Sequence, residues 1–264
     1  MIDSDFQNRA NSGIGDRTWD VLERAAVGAA RSQLTARRFI PIEGPHGLGV
    51  QAVPLADVHS PDGHAVARLL PLHYFFRTFG LSVRDIAAYE REPLTLDAGP
   101  AARAAIECAG AEEELIFAGT KNAPGLTAAP GITKHRLTSW QPLGKAAADV
   151  VEAINVLDTA GFHGPYALAL GPARHNLLYR LYADGNGTEL EHVEKIVGGG
   201  VFKCPALKTG GMLLATGAQF STIIIGQDLT VGYVGRVGAD VQLSVSESLA
   251  LLLREPKAVC ALED

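Results

Sequence analysis

Between positions 19 and 34 the apolar residues Trp19, Leu22, Ala26, Ala30 and Leu34 recur every three to four places, which puts them on one face of a helix. Asp16 stands where an N-cap belongs, so the pattern predicts an amphipathic helix from there to near Arg38. The periodicity then breaks. Gly44, Pro45, Gly47 and Gly49 interrupt the segment FIPIEGPHGLG before LGVQAVPLADV, which is rich in β-formers. HSPDGH is a turn signal, and the stretch from about Ala65 to Leu81, carrying LPLHYFFRTF, is strand-like again. Together they predict a long hairpin from Leu48 to Phe79. A two-stranded ribbon is only marginally stable alone in water, so something outside it must cover it, and a neighbouring subunit is one such cover.

Ser82 and Asp85 form a capping-box-like start to a short helix that ends by Pro93. Asp97 and Pro100 open a longer one through Ala105, Cys108, Ala109, Glu112 and Ile116, closed by Gly119. The loop-rich run from Thr120 to Gly144 marks a domain boundary. Beyond it KAAADVVEAINVLDTAG predicts a helix, PYALAL a buried strand, and PARHNLLYRLY a helix with Pro172 at its first position. ADGNGT interrupts before the helix ELEHVEKIV, which ends in Gly198, Gly199 and Gly200. From Val201 onward the signal is strands only. In the last long one Val241, Leu243 and Val245 alternate with Gln242, Ser244 and Ser246, the pattern of a half-exposed strand.

A chain of 264 residues, 47% hydrophobic, supports one large domain or two modest ones. No apolar run approaches the roughly 18 residues of a membrane-spanning helix, and MIDSDFQNRANSG lacks the basic start and apolar stretch of a secretory signal. A cytoplasmic location is the expectation. The net charge is -6 and no Lys/Arg-rich block occurs, so neither nucleic acid nor membrane is an expected partner.

Chemistry is sparse. Cys108, Cys204 and Cys260 form no CxxC pair and read as small buried hydrophobes. The eight histidines fall into no HExxH or HxxxH grouping, so no metal site is expected. GxSxG and P-loop patterns are absent, and Gly44, Gly47 and Gly49 do not fit GxGxxG. Glu112, Glu113 and Glu114 point in different directions on a helix, which predicts a solvated or interface face rather than an acid/base pair. No catalytic residue and no cofactor are expected. The ADGNGT loop suits a surface turn or the rim of a small opening.

Four segments, LTARRFIPIEGPHG, IFAGTKNAPGL, GFHGPYALAL and IIIGQDLTVGY, resemble the family 1 encapsulin shell proteins, which are linocin-like. They occur in family order and spacing, and the resemblance runs from about Arg17 to Leu253. It implies an α+β chain with the HK97-like major capsid protein fold, built of a P-domain, an A-domain and an extended E-loop hairpin. On that pattern residues 1–47 are the N-terminal part of the P-domain and 48–80 the E-loop. Residues 81–123 are the P-domain spine helix, 124–223 the A-domain and 224–264 the C-terminal P-domain strands.

The resemblance further implies a structural shell subunit, not an enzyme, that self-assembles into an icosahedral nanocompartment around a cargo enzyme. That cargo would be a ferritin-like iron oxidase or a dye-decolourising peroxidase, held by a short targeting peptide. Asp184, Gly185, Asn186, Gly187 and Thr188 match the fivefold pore loop. Arg31, Leu34, Arg37, Phe39 and Ile40 match the region that binds the cargo peptide. Arg84 stands where some members carry a flavin-binding tryptophan, so no flavin is expected. Two other readings remain at this stage: a phage-type capsid protein packaging DNA, and a soluble α/β enzyme with an unrecognised site near Asp184 and His192.

Overall fold

The computed structural model describes residues 7–92, 94–183, 185 and 187–264. Helix α1 (Asp16–Gln33) leads into strands β1 (Ile42–Glu43), β2 (Ala52–His59), β3 (Ala65–Pro71) and β4 (His73–Ser82). Helices α2 (Val83–Arg91) and α3 (Gly99–Phe117) precede the short strands β5 (Gly119–Thr120), β6 (Ala123–Pro124) and β7 (Thr133–Arg136). An α/β stretch follows: α4 (Lys145–Thr159), β8 (Tyr166–Leu170), α5 (Pro172–Leu177), α6 (Glu189–Val197) and β9 (Gly198–Lys203). Strands β10 (Gly211–Ala215), β11 (Ser221–Val237), β12 (Asp240–Leu253) and β13 (Val259–Glu263) complete the chain. Two compact units result. One takes the described residues through Leu34, Glu43–Glu112 and Ile224–Ala250; the other takes Thr35–Ile42, Glu113–Ile223 and Leu251–Asp264.

The first unit holds a four-stranded sheet, β1-β11-β12-β4, against which α1 and α3 pack. Trp19, Leu22, Ala26 and Ala30 of α1 meet Leu229, Val231, Val241, Leu243 and Val245 of the sheet. On α3 the matching face is Ala101, Ala104, Ala105, Cys108 and Ala109, and such small side chains let a helix approach the strands closely. Ahead of α1, Arg9 clamps the chain to this layer. Its guanidinium holds both oxygens of Glu23 at 3.1 Å, donates to the Val231 carbonyl at 2.7 and 2.9 Å, and lies 4.9 Å over the Trp19 ring.

Among the described residues strands β2 and β3 pair only with each other, from Ala52 opposite Pro71 to His59 opposite Ala65, around a turn with Gly63 at φ 83°. The ribbon is shorter than the predicted Leu48–Phe79 hairpin. After Leu72 the chain leaves it, and β4 pairs along β12 from His73 opposite Leu249 to Ser82 opposite Asp240. The reason is burial: Phe79 and Leu81 point into the core of the sheet, whereas Val58, Val66 and Leu69 stay exposed, Leu69 at 63%.

The second unit is a five-stranded sheet, β7-β13-β10-β8-β9. All five residues of β8 and of β10 are buried, which is what continuous apolar strands predict. Against them pack Val150, Ala153 and Leu157 of α4, Val193 and Val197 of α6, and Trp140 and Leu178.

Three further expectations are corrected. Helix α1 stops at Gln33 rather than near Arg38, because the N–H groups of Thr35 and Ala36 donate to Glu113 Oε1, both at 2.9 Å, and a 3-10 turn (Ala36–Arg38) follows. Glu112 and Glu113 are accordingly buried, not solvated; Glu114 alone of the three is exposed. Strand β12 is buried on both faces. Ser246 and Ser248 sit inside because Gln227 donates from Nε2 to the Ser246 carbonyl and hydroxyl and from its backbone N–H to the Ser248 hydroxyl.

Candidate functional site

The loop matched to a pore hangs between α5 and α6. Its neck is closed by a bridge between Leu181 and Thr188, and Tyr182 N–H donates to the Gly187 carbonyl at 3.1 Å. Gly185 and Gly187 turn the chain with φ 74° and 94°, in the left-handed region that favours glycine. Gly187 has a second reason to lack a side chain: a Cβ there would come within 2.2 Å of Glu191 Oε2. Thr188 and Glu191 make a reciprocal capping box, with the Thr188 hydroxyl accepting from Glu191 N–H and Thr188 N–H donating to the Glu191 carboxylate. The Thr188 hydroxyl is thus committed to the helix start. Asp184 and Asn186 lie outside the described residues.

Beneath the loop is an ion pair that the chain pattern did not reveal. Arg180 Nη2 meets Glu189 Oε2 at 2.6 Å, and Glu189 is fully buried. The same guanidinium donates to the carbonyls of Trp140 and Gln141, while Glu189 Oε1 accepts from Gly144 N–H at 2.7 Å. Around this base Leu143, Tyr179 and Leu181 are exposed apolar side chains. His192, raised above as part of an enzyme site, hydrogen-bonds through Nδ1 to the Tyr182 hydroxyl at 3.1 Å.

The residues matched to peptide binding divide between the units. Arg31 is exposed on α1, and Leu34 is buried in the core of the first unit. In the second unit Arg37 is half-buried, Ile40 is buried, and Phe39 packs 5.0 Å from the Phe202 ring and 6.3 Å from Phe117. Arg38, next to them, is exposed and lies over the Phe202 ring at 4.9 Å.

The titratable groups elsewhere are tuned for packing. Burial pushes the Cys108 and Cys204 thiols up to about 12 and raises Cys260 as well, so all three stay protonated at neutral pH. Burial, reinforced by Lys203 and Arg38, depresses His175 below the ordinary histidine value. One grouping able to hold a metal stands out among the described residues: His135, Asp149 and Glu152, whose ligand atoms all lie within 4.8 Å of one another. Asp149 and Glu152 are three apart on α4, but His135 comes from β7, so no spacing along one helix reveals the trio.

A family model described as "Encapsulating protein for peroxidase" matches residues 4–250. The chain belongs to the encapsulin shell-protein family. It is 30% identical over 277 aligned positions to the type 1 encapsulin shell protein EncA of Myxococcus xanthus, covering 98% of this chain and 96% of that protein. The crystal structure of the virus-like particle from Pyrococcus furiosus superposes with a TM-score of 0.77 at 21% identity, covering 93% of this chain and 99% of that one. The capsid of Myoviridae phage XM1 gives 0.60 at 12% identity, covering 84% and 88%. The encapsulin therefore has the HK97-like capsid fold, mixed helix and sheet, and serves as a shell protein that encloses cargo. Among the described residues no helix is long and apolar enough to cross a membrane.

Proposed function

We propose that this encapsulin closes with copies of itself into an icosahedral cytoplasmic compartment whose subunits do no catalysis of their own and hold a cargo enzyme by its targeting peptide. The observation that carries the reading is the β2–β3 ribbon, which among the described residues pairs with no other strand and leaves Val58, Val66 and Leu69 exposed. Such a ribbon is stable only when covered, and in a closed shell of identical subunits each ribbon lies over a neighbour. The family model's description favours a peroxidase as cargo, with a ferritin-like iron oxidase as the second choice. Residues 48–80 act as the E-loop on this reading, 124–223 as the A-domain, and 1–47, 81–123 and 224–264 as the P-domain. Segment 31–40 receives the peptide, its arginines at the rim drawing an anionic or amphipathic tail.

Negative-stain microscopy and light scattering of the purified protein test this. Closed, uniform particles without a nucleic-acid absorbance peak are expected. Monomers or dimers alone would overturn the shell reading, and particles filled with DNA would favour a phage-type capsid.

The loop 184–188 lines the fivefold opening on the same reading. Five copies would repeat the Asp184 carboxylate around it and favour cations over anions. Asp184→Lys is expected to slow ferrous-ion entry severalfold, measured by a chelator trapped inside the particles, with assembly intact. Unchanged entry would remove Asp184 from the gate.

A further inference from the structure

We infer that the second unit carries a divalent-metal site formed by His135, Asp149 and Glu152, with zinc the ion whose chemistry suits it best. The inference is independent of the shell reading, since all three residues lie within one unit. Helix α4 packs across β7 and presents Asp149 and Glu152, one turn apart, on the same face. His135 approaches them from the strand. Its Nε2 is buried and has no hydrogen-bond partner among the described residues, although it faces the Glu152 carboxylate with 3.8 Å between Nε2 and Oε2, too long for a hydrogen bond. A buried ring nitrogen left unsatisfied costs free energy, and metal ligation is one way to satisfy it.

Asp149 is already oriented as a ligand would be. Its carboxylate accepts from the Thr138 N–H at 2.7 Å, from the Thr138 hydroxyl at 3.0 Å and from Trp140 Nε1 at 2.8 Å. A carboxylate has about four lone-pair directions, so these three donors leave one open. Backing of this kind fixes a ligand's direction and raises affinity. Glu152 is the mobile member, with 66% of its side chain exposed. Zinc bonds of roughly 2.1 Å in tetrahedral geometry set ligand atoms about 3.4 Å apart. Small rotations of the Glu152 side chain and the His135 ring would close the difference from the present spacing, within 4.8 Å, and water would complete the fourth position.

One imidazole nitrogen and two carboxylate oxygens suit zinc better than calcium or magnesium, which take oxygen alone. The experiment is equilibrium dialysis of the purified, cargo-free particle against micromolar zinc, with bound metal counted by elemental analysis. About one zinc per subunit is expected, and replacing zinc by cobalt(II) should give the visible absorption of a four-coordinate site. Glu152→Gln changes an exposed residue, so the fold is kept while the affinity falls at least about tenfold; His135→Gln should do the same. A control variant, His163→Gln, alters an exposed histidine–carboxylate pair elsewhere and should leave binding unchanged. Absence of binding to the wild-type particle, or equal binding by Glu152→Gln, overturns the site.

Discussion

Replacing Arg180 by alanine is expected to destabilise the second unit by about 3 kcal/mol, because it strands a fully buried carboxylate. Glu189 would keep the Gly144 N–H and lose its cation, and the carbonyls of Trp140, Gln141 and Leu177 would lose a donor at the same stroke. The Arg180 side chain is about a quarter exposed, at 27%, so water offsets part of the loss and the lower end of the usual range applies. Glu189→Gln should cost less than half as much, since the amide oxygen still accepts from Gly144 and the charge left without a partner, Arg180, is about a quarter exposed and keeps its carbonyl acceptors. The pair also brackets the loop between α5 and α6, one residue outside the Leu181–Thr188 bridge at each end. Amide hydrogen exchange at Tyr182 and Thr188 should therefore accelerate in Arg180→Ala before exchange in β8 does. A change in unfolding midpoint equivalent to less than about 0.5 kcal/mol would show that the pair sits in more water than its burial implies.

The features that were legible in the sequence are those whose cause is local. Helices α3, α4 and α6 lie where periodicity, Pro100 and the terminal glycines put them, while α1 starts one residue earlier than read, with Gly15 as its N-cap and Asp16 already inside its first turn. The ribbon turn at HSPDGH is likewise written in its own residues. What escaped was set by partners distant in the chain. Helix α1 ends early because Glu113, 78 residues away, takes the N–H of Thr35. The serines of β12 look solvent-facing by alternation, yet Gln227 on the adjacent strand satisfies them inside. Likewise β4 continues the ribbon's residue pattern while pairing with β12, since composition favours a strand without naming its neighbour.

The same limit applied to the site residues. Glycines at 185 and 187 are readable as a tight loop, and Gly187 is doubly required by its φ and by Glu191. The Arg180–Glu189 pair below them is nine residues apart and carries no periodic mark. The apolar members of the segment 31–40 read equally as core or as groove, and Leu34, Phe39 and Ile40 are in fact buried. On the proposal that this segment receives the cargo peptide, recognition would depend on how the backbone there is held, more than on those side chains being exposed.

That makes Glu113 the other residue, beside Arg180, whose loss should matter most. Its Oε1 accepts from two consecutive backbone N–H groups, those of Thr35 and Ala36, and Cys204 Sγ donates to Oε2 at 3.9 Å. The residue is only 4% exposed, so in Glu113→Ala both N–H groups would be left inside with no water to replace the carboxylate. Each unsatisfied buried donor costs about 1–3 kcal/mol, so the two together place the total at about 2–6 kcal/mol. Glu113→Gln retains one acceptor oxygen and should recover about half. The 3-10 turn (Ala36–Arg38) is the structure at stake, because those two N–H groups are what fix its entry. If segment 31–40 receives the cargo peptide, Glu113→Gln should lower cargo occupancy even in particles that remain closed, as read by the cargo-to-shell ratio on a denaturing gel. Full occupancy in intact Glu113→Gln particles would separate the two roles, leaving Glu113 to hold the fold and moving peptide binding elsewhere on the subunit.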